Sequence, residues 1–498
     1  MSEAIALGAS AASGVTGLDD VLGGGFARNR LYLLEGDPGT GKTTTAMRFL
    51  MEGAKAGERT LYITLSETVS ELKETATSHG WILDGIGLFE LTPPESLLDE
   101  RQQQSLLYSS DLELGETTRL IFEAVETHKP DRIVIDSLSE IRLLAQSALR
   151  YRRQILALKH YFAKLNITVL LLDDMSAENN DRTVHSIAHG VIRLEESSPD
   201  YGAERRRLRV IKYRGRRFRG GYHDFNIVTG GVVVYPRLVS LEHGEEFERG
   251  QLTSGSDQLD ALLGGGVDRG SSVLVLGPAG TGKSLLSLTF VVDAMKRGEK
   301  ACIMVFDEEL GLLFRRTRAM GFDLQSFVDR GDLFIEQVDA AEQSPGEFSH
   351  RVRDLVEKHG VQTVVIDSLN GYQAAMPQEQ YLVLHMHELL QFLNRRGATT
   401  FLTVAQHGLV GEMKAPVDIT YLADTVILLR FFEAAGSVRR AIAVIKKRAG
   451  EHEKTIREYR IDDGGLAVGD VLAGFQGVLR GVPDFVGREE TLMQASGA

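Results

Sequence analysis

The chain has 498 residues, 43% hydrophobic and 25% charged, an ordinary globular composition with room for two domains of roughly 240 residues each. No run of about 18 apolar residues offers a membrane span, and Met1 to Ser13 lacks the basic head and apolar stretch of a secretory signal, so a cytoplasmic protein is expected. Acidic residues outnumber basic ones by 69 to 56, a net charge of −13, which argues against gripping nucleic acid through its phosphates.

In chain order, Leu18-Asp19 and Gly23-Gly24-Gly25 precede a β-rich run at 30–34 that enters Gly36-Asp37-Pro38-Gly39-Thr40-Gly41-Lys42-Thr43. A helix over 43–56 leaves it, followed by strands at 61–65, 132–135 and 168–172, a helix at 117–129 and a late strand at 206–211. Arginines run from Arg205 to Arg219 and suggest a solvated sheet edge, where cations discourage edge-to-edge pairing. An acidic, glycine-containing stretch within 236–255 marks a boundary, giving domains 1–245 and 246–473. The same frame then recurs 241 positions on: Leu259-Asp260, Gly264-Gly265-Gly266 and Gly277-Pro278-Ala279-Gly280-Thr281-Gly282-Lys283-Ser284. Strands at 272–276, 302–306, 363–366, 400–404 and 440–445 and a helix at 347–359 complete the second half. Cys302, the lone cysteine, is expected in its core, and residues 474–498, with five glycines, form a mobile tail. Alternating strands and helices in each half specify an α/β fold with a mostly parallel sheet.

The glycine-rich segments are phosphate loops. Glycine lets backbone N–H groups curl around phosphates, and the following helix adds its positive N-terminal end. ATP-binding residues are therefore Gly36, Gly39, Thr40, Gly41, Lys42, Thr43 and Thr44, and Gly277, Gly280, Thr281, Gly282, Lys283, Ser284 and Leu285. Asp136 and Asp367 each end an apolar strand. They could serve as turn or cap residues, but downstream of a phosphate loop a role with Thr43 and Ser284 around Mg²⁺ is favoured. Hydrolysis also needs a carboxylate near the attacking water. Glu67, 25 positions after Lys42, and Glu308, 25 after Lys283, are the candidate bases; Glu309 forms a candidate catalytic pair with Glu308, where the first half has Thr68. Lys212-Tyr213-Arg214 and Lys446-Lys447-Arg448 place cations on one face of a late strand. A cationic strand edge would explain either alone, whereas their recurrence favours fingers reaching a neighbour's ATP.

On these residues, together with Asp424-Thr425-Val426-Ile427-Leu428-Leu429 and Ile456-Arg457-Glu458, the chain resembles the KaiC family of circadian-clock ATPases over nearly its whole length. The resemblance implies two tandem RecA-like P-loop NTPase domains, six chains in a double ring with ATP and Mg²⁺ at the interfaces, slow hydrolysis in the first domain and serine/threonine autokinase activity in the second. Matched back from Asp424, the family's Ser-Thr acceptor pair falls on Thr420-Tyr421, so Thr420 is the expected phosphoacceptor. Implied partners are further copies of the chain, a KaiB-like protein, or a signalling histidine kinase or response regulator. The tail is shorter than that of clock members, in which this segment is where KaiA docks. A RecA-like DNA-dependent ATPase and a nucleotide-switched scaffold remain as alternatives.

Overall fold

A computed structural model describes residues 9–91, 106–175, 183–198, 202–239, 247–375, 379–406, 420–434, 436–462, 465–480 and 484–485. The chain divides into two compact units, Met1–Arg237 and Leu238–Ala498. The boundary read from sequence, between 245 and 246, lies outside the described residues.

The main strands of the first unit are β1 (Leu31–Gly36), β2 (Thr60–Thr64), β3 (Ile86–Glu90), β4 (Arg132–Asp136), β5 (Thr168–Asp174), β6 (Gly190–Ser197), β7 (Arg205–Tyr213), β8 (His223–Val228) and β9 (Gly231–Tyr235). They form one sheet in the order β9-β8-β7-β6-β1-β5-β4-β2-β3. From β6 to β3 all pairings are parallel, and β7 to β9 extend that block antiparallel. The second unit repeats the plan with β10 (Ser272–Gly277), β11 (Lys300–Val305), β12 (Leu333–Gln337), β13 (Val361–Asp367), β14 (Thr399–Ala405), β15 (Thr425–Ala434), β16 (Ser437–Lys447), β17 (Arg457–Asp462) and β18 (Gly465–Val471). Their order, β18-β17-β16-β15-β10-β14-β13-β11-β12, is the same permutation.

The parallel strands are apolar along their length because helices cover both faces. In the first unit Tyr32, Leu34, Tyr62 and Val134 pack with Met47, Phe49 and Leu50 of helix Lys42–Lys55. Their strand neighbours Leu31, Leu33, Ile63 and Ile135 point to the other face, against Ile155, Leu158 and Phe162 of helix Ala148–Lys164. The second unit splits likewise, and Cys302 is fully buried, as expected, with its thiol pushed up by burial. Among the described residues no helix is long and apolar enough to cross a membrane.

Two sequence expectations are revised. The arginine-rich β7 lies inside the sheet, paired on both sides over Arg206–Leu208. Its charges are answered locally: Arg206 bonds Glu196 at 2.9 Å, Arg209 lies 3.6 Å from Glu195, and Arg207 and Arg209 stack on Tyr222 at 4.8 and 5.0 Å. Cross-strand neutralisation of this kind is invisible in one segment's composition. The stretch from Gly474, expected as a mobile tail, packs at its start: Val478 is buried with Phe432, Ala441 and Leu472, and Phe475–Gln476 pairs with Asp484–Phe485.

Candidate active sites

Each phosphate loop connects the end of its central strand, β1 or β10, to a helix starting at its lysine, Lys42–Lys55 or Lys283–Lys296. This is the carboxyl edge of the parallel strands, where open α/β sheets take ligands. Gly41 and Gly282 both have φ of 93°, a left-handed backbone that a side chain would strain, and it turns the loop into the helix. Thr40 and Thr281 tie the loops internally, each hydroxyl donating at 2.8 Å to the carbonyl of Asp37 or Pro278. Lys42 donates to the carbonyls of Gly36 and Asp37 at 2.8 and 2.9 Å, and Lys283 to Pro278 at 2.9 Å. Phosphate oxygens can replace these carbonyls. Thr44 and Leu285 are buried in the first helical turns.

Asp136 ends β4 beside Thr43, whose hydroxyl lies 3.4 Å from its carboxylate, and Tyr62 donates to the same oxygen at 2.5 Å. Burial raises the Asp136 carboxyl, with Tyr62 pulling against it. A hydroxyl and a carboxylate at this spacing suit a hard cation that keeps several waters and phosphate ligands, so Mg²⁺ fits here. In the second unit Asp367 accepts from Thr403 at 2.5 Å, while Ser368 donates to Asp307 at 2.6 Å. Thr403 and Asp307 stand where the first unit has Leu172 and Ser66 in the aligned strands.

The glutamates differ more. Glu67 is half-buried beyond β2, its backbone N–H held by Thr64 at 2.9 Å. Its carboxyl is raised by burial and then by Asp136, Glu71 and Asp174, with Lys42 opposing. Glu308, at the equivalent place, is gripped through both oxygens by Arg316, at 3.0 and 2.7 Å. That pair lines a pocket of about 410 Å³ with Lys283, Ser284 and Arg440. Glu309 has another occupation: its carboxylate accepts from the N–H groups of Gly311 and Leu312 at 2.8 and 2.9 Å and caps helix Leu310–Ala319. Those bonds hold its carboxyl below the usual range. Thr68, at the matching position, caps helix Val69–Ser78 with Glu71 in a reciprocal box. The first unit's change at this position therefore substitutes one cap for another.

Sequence reasoning missed Asp174, whose carboxylate sits 2.8 Å from Lys42, and Arg316. Two adjacent aspartates ending β5 were the available signal for the first; only an opposite charge eight positions from Glu308 marked the second.

The Lys-x-Arg motifs lie at the opposite end of the strands from the phosphate loops. Arg214 N–H bonds to the carbonyl of His189, next to Gly190, which pairs with Tyr32. Gly36 is four residues further along, roughly 13 Å at about 3.3 Å per residue. Each motif braces the turn before a strand. Lys212 donates to the carbonyls of His185 and Ala188, and Arg214 to Ser186 at 2.8 Å. Lys446 donates to Thr420 and Ala423 at 3.0 and 2.7 Å, while Arg448 reaches the carbonyl of Tyr421 at 3.2 Å and Asp424 at 3.0 Å. Burial, then the neighbouring arginine, lowers both lysines. Thr420 is partly exposed at the start of its turn, and Tyr421 is 56% exposed.

Comparison with known proteins agrees with this duplicated arrangement. The KaiC ATPase family matches residues 11–239 and 252–472. Circadian clock protein KaiC3 of Synechocystis sp. is 27% identical over 491 residues, 96% of this chain and 95% of its own length. The circadian clock oscillator proteins KaiC of Acaryochloris marina and Parathermosynechococcus lividus are 26% and 28% identical, each over 96% of this chain and over 91% and 88% of their own. The chain belongs to the KaiC family of ATPases and carries two tandem RecA-like KaiC domains.

Proposed function

We propose that the protein is a homohexameric ATPase in which the first domain performs most of the hydrolysis, the second binds ATP and transfers its γ-phosphoryl group to Thr420, and the ring serves signalling or clock-type regulation. The observation that carries this reading is the first-domain constellation: Lys42 in its carbonyl cradle, Thr43 beside Asp136, and Glu67 with no cation clamped on its carboxylate among the described residues. Lys42 would bind the β- and γ-phosphates while Thr43 and Asp136 would hold Mg²⁺, which when bound neutralises charge on the phosphates. Glu67, its carboxyl raised, is suited to orient the attacking water and accept its proton. In the second domain Lys283, Ser284, Asp367 and Glu308 take the corresponding roles.

The placement of the cations supports a ring. Lys212, Arg214, Lys446 and Arg448 sit at the wrong end of their strands to serve their own phosphate loops, so a finger role requires a second copy. Lys446 and Arg448 brace Thr420 and Tyr421, so a neighbour's ATP drawn to that finger would lie beside the acceptor turn. A KaiB-like protein, or a histidine kinase or response regulator, remains the proposed partner. The bidentate hold of Arg316 on Glu308 favours a second reading for that half alone, a nucleotide-bound scaffold with little turnover. Native mass spectrometry with and without ATP and Mg²⁺ tests the ring: ATP-dependent hexamers are expected, and a strict monomer at saturating ATP would remove both ring and fingers.

A further inference from the structure

The turn before β6 in the first domain is built like the acceptor turn before β15 in the second. Lys212 and Arg214 bond the carbonyls of His185, Ser186 and Ala188, whereas Lys446 and Arg448 bond those of Thr420, Tyr421 and Ala423. Each carbonyl is displaced by 235 positions, so Ser186 stands where Tyr421 stands, next to the place of Thr420. Unlike the long phenol of Tyr421, Ser186 keeps its hydroxyl close to the backbone. Ser186 is exposed; its Oγ donates to the Thr183 carbonyl at 2.8 Å and accepts from Arg152 at 2.9 Å.

We propose that Ser186 is a phosphoacceptor of the first domain, taking the γ-phosphoryl group of ATP held at the first-domain phosphate loop of a second copy of this chain; this rests on the autokinase reading above. Its own loop is badly placed as donor. Val184 and Ile187, on either side of Ser186, are buried on the sheet face opposite the one that carries helix Lys42–Lys55. In the transfer Oγ forms a bond to the γ-phosphorus, the bond from that phosphorus to the β,γ-bridging oxygen breaks, ADP departs, and the hydroxyl proton passes to the donor site's Glu67 carboxylate.

The charge around Ser186 favours the product. Arg152 meets its hydroxyl, Arg214 and Lys212 meet its carbonyl, and Lys159 meets the next carbonyl, that of Ile187, at 2.9 Å. Among the described residues none of these four cations forms an ion pair with a carboxylate; Glu35, bonded to the adjacent His185, gives its other oxygen to Arg193. A phosphate bringing about −1.5 to −2 charges would therefore find cations already in place. At the second-domain turn Asp424 engages Arg448; His189 stands in its place here, and Val383 stands in place of Arg152.

The test is phosphopeptide mapping of the full chain after incubation with γ-labelled ATP and Mg²⁺. Label is expected on Ser186, lost in Ser186→Ala and retained on the new hydroxyl in Ser186→Thr. It should vanish in Lys42→Ala, which disables the donor, and persist in Lys283→Ala, whereas label on Thr420 should respond the opposite way. Mixing the Lys42→Ala and Ser186→Ala chains should restore label at Ser186, since donor and acceptor then lie on separate copies. Label on Thr420 but never on Ser186 would overturn this proposal and leave the autokinase standing. No label at either residue would overturn both, and Ser186 label surviving Lys42→Ala would overturn the assigned donor.

Discussion

The two domains share a strand order, a phosphate loop and an aspartate at the same strand end, yet treat the candidate base differently. In the first, burial and nearby carboxylates raise Glu67; in the second, Arg316 binds both oxygens of Glu308. Asp174, Tyr62 and Thr75 of the first domain give way to Ala405, Ile303 and Arg316. The two domains keep the same phosphate loop while the residues around the candidate base differ. On the proposed function, nucleotide binding and nucleotide turnover would be separable outcomes of one fold.

The largest expected effect breaks the comparison at its active end. With the second site disabled by Lys283→Ala, Glu67→Gln should lower hydrolysis by about 100-fold or more while ATP still binds, because the cradle is untouched. A wild-type rate in that variant would mean that another group takes the proton. Next, with the first site disabled by Lys42→Ala, Arg316→Gln should raise second-domain turnover several-fold by freeing Glu308. A fall would show instead that Arg316 orients the base productively.

A subtler change concerns pH. A general base works only when deprotonated, so a raised Glu67 places the acid limb of first-domain hydrolysis above that of an ordinary glutamate. Asp174→Asn removes one of the charges raising it, so the acid limb should move to lower pH in a Lys283→Ala background. An unmoved limb would assign it to another group. The smallest effect is structural: Thr68→Ala should cost about 1 kcal/mol in thermal unfolding through loss of the helix cap. Glu309→Ala should change stability in the same direction, and turnover less than Glu308→Gln does.

How much of this was legible follows from where each constraint is written. Phosphate loops announce themselves because left-handed glycines and a following lysine occupy adjacent positions, and Asp136 and Asp367 because an apolar strand leads into each. The strand β6, the antiparallel strands β8, β9, β17 and β18 and the edge strands β3 and β12 escaped, being short or mixed in polarity. Glu309 looked like half of a catalytic pair because a cap is defined by the backbone that follows it, and adjacency of two glutamates carries no such information. The arginines of β7 looked like an edge because Glu195, Glu196 and Tyr222 lie on other strands or loops. The boundary of the domains fell on a stretch that is outside the described residues.

The most direct test of a shared cradle with divergent bases is steady-state ATP hydrolysis by the full chain carrying Lys42→Ala or Lys283→Ala alone. Lys42→Ala should remove most of the turnover and Lys283→Ala should leave most of it. Turnover lost with Lys283→Ala and kept with Lys42→Ala would contradict the account.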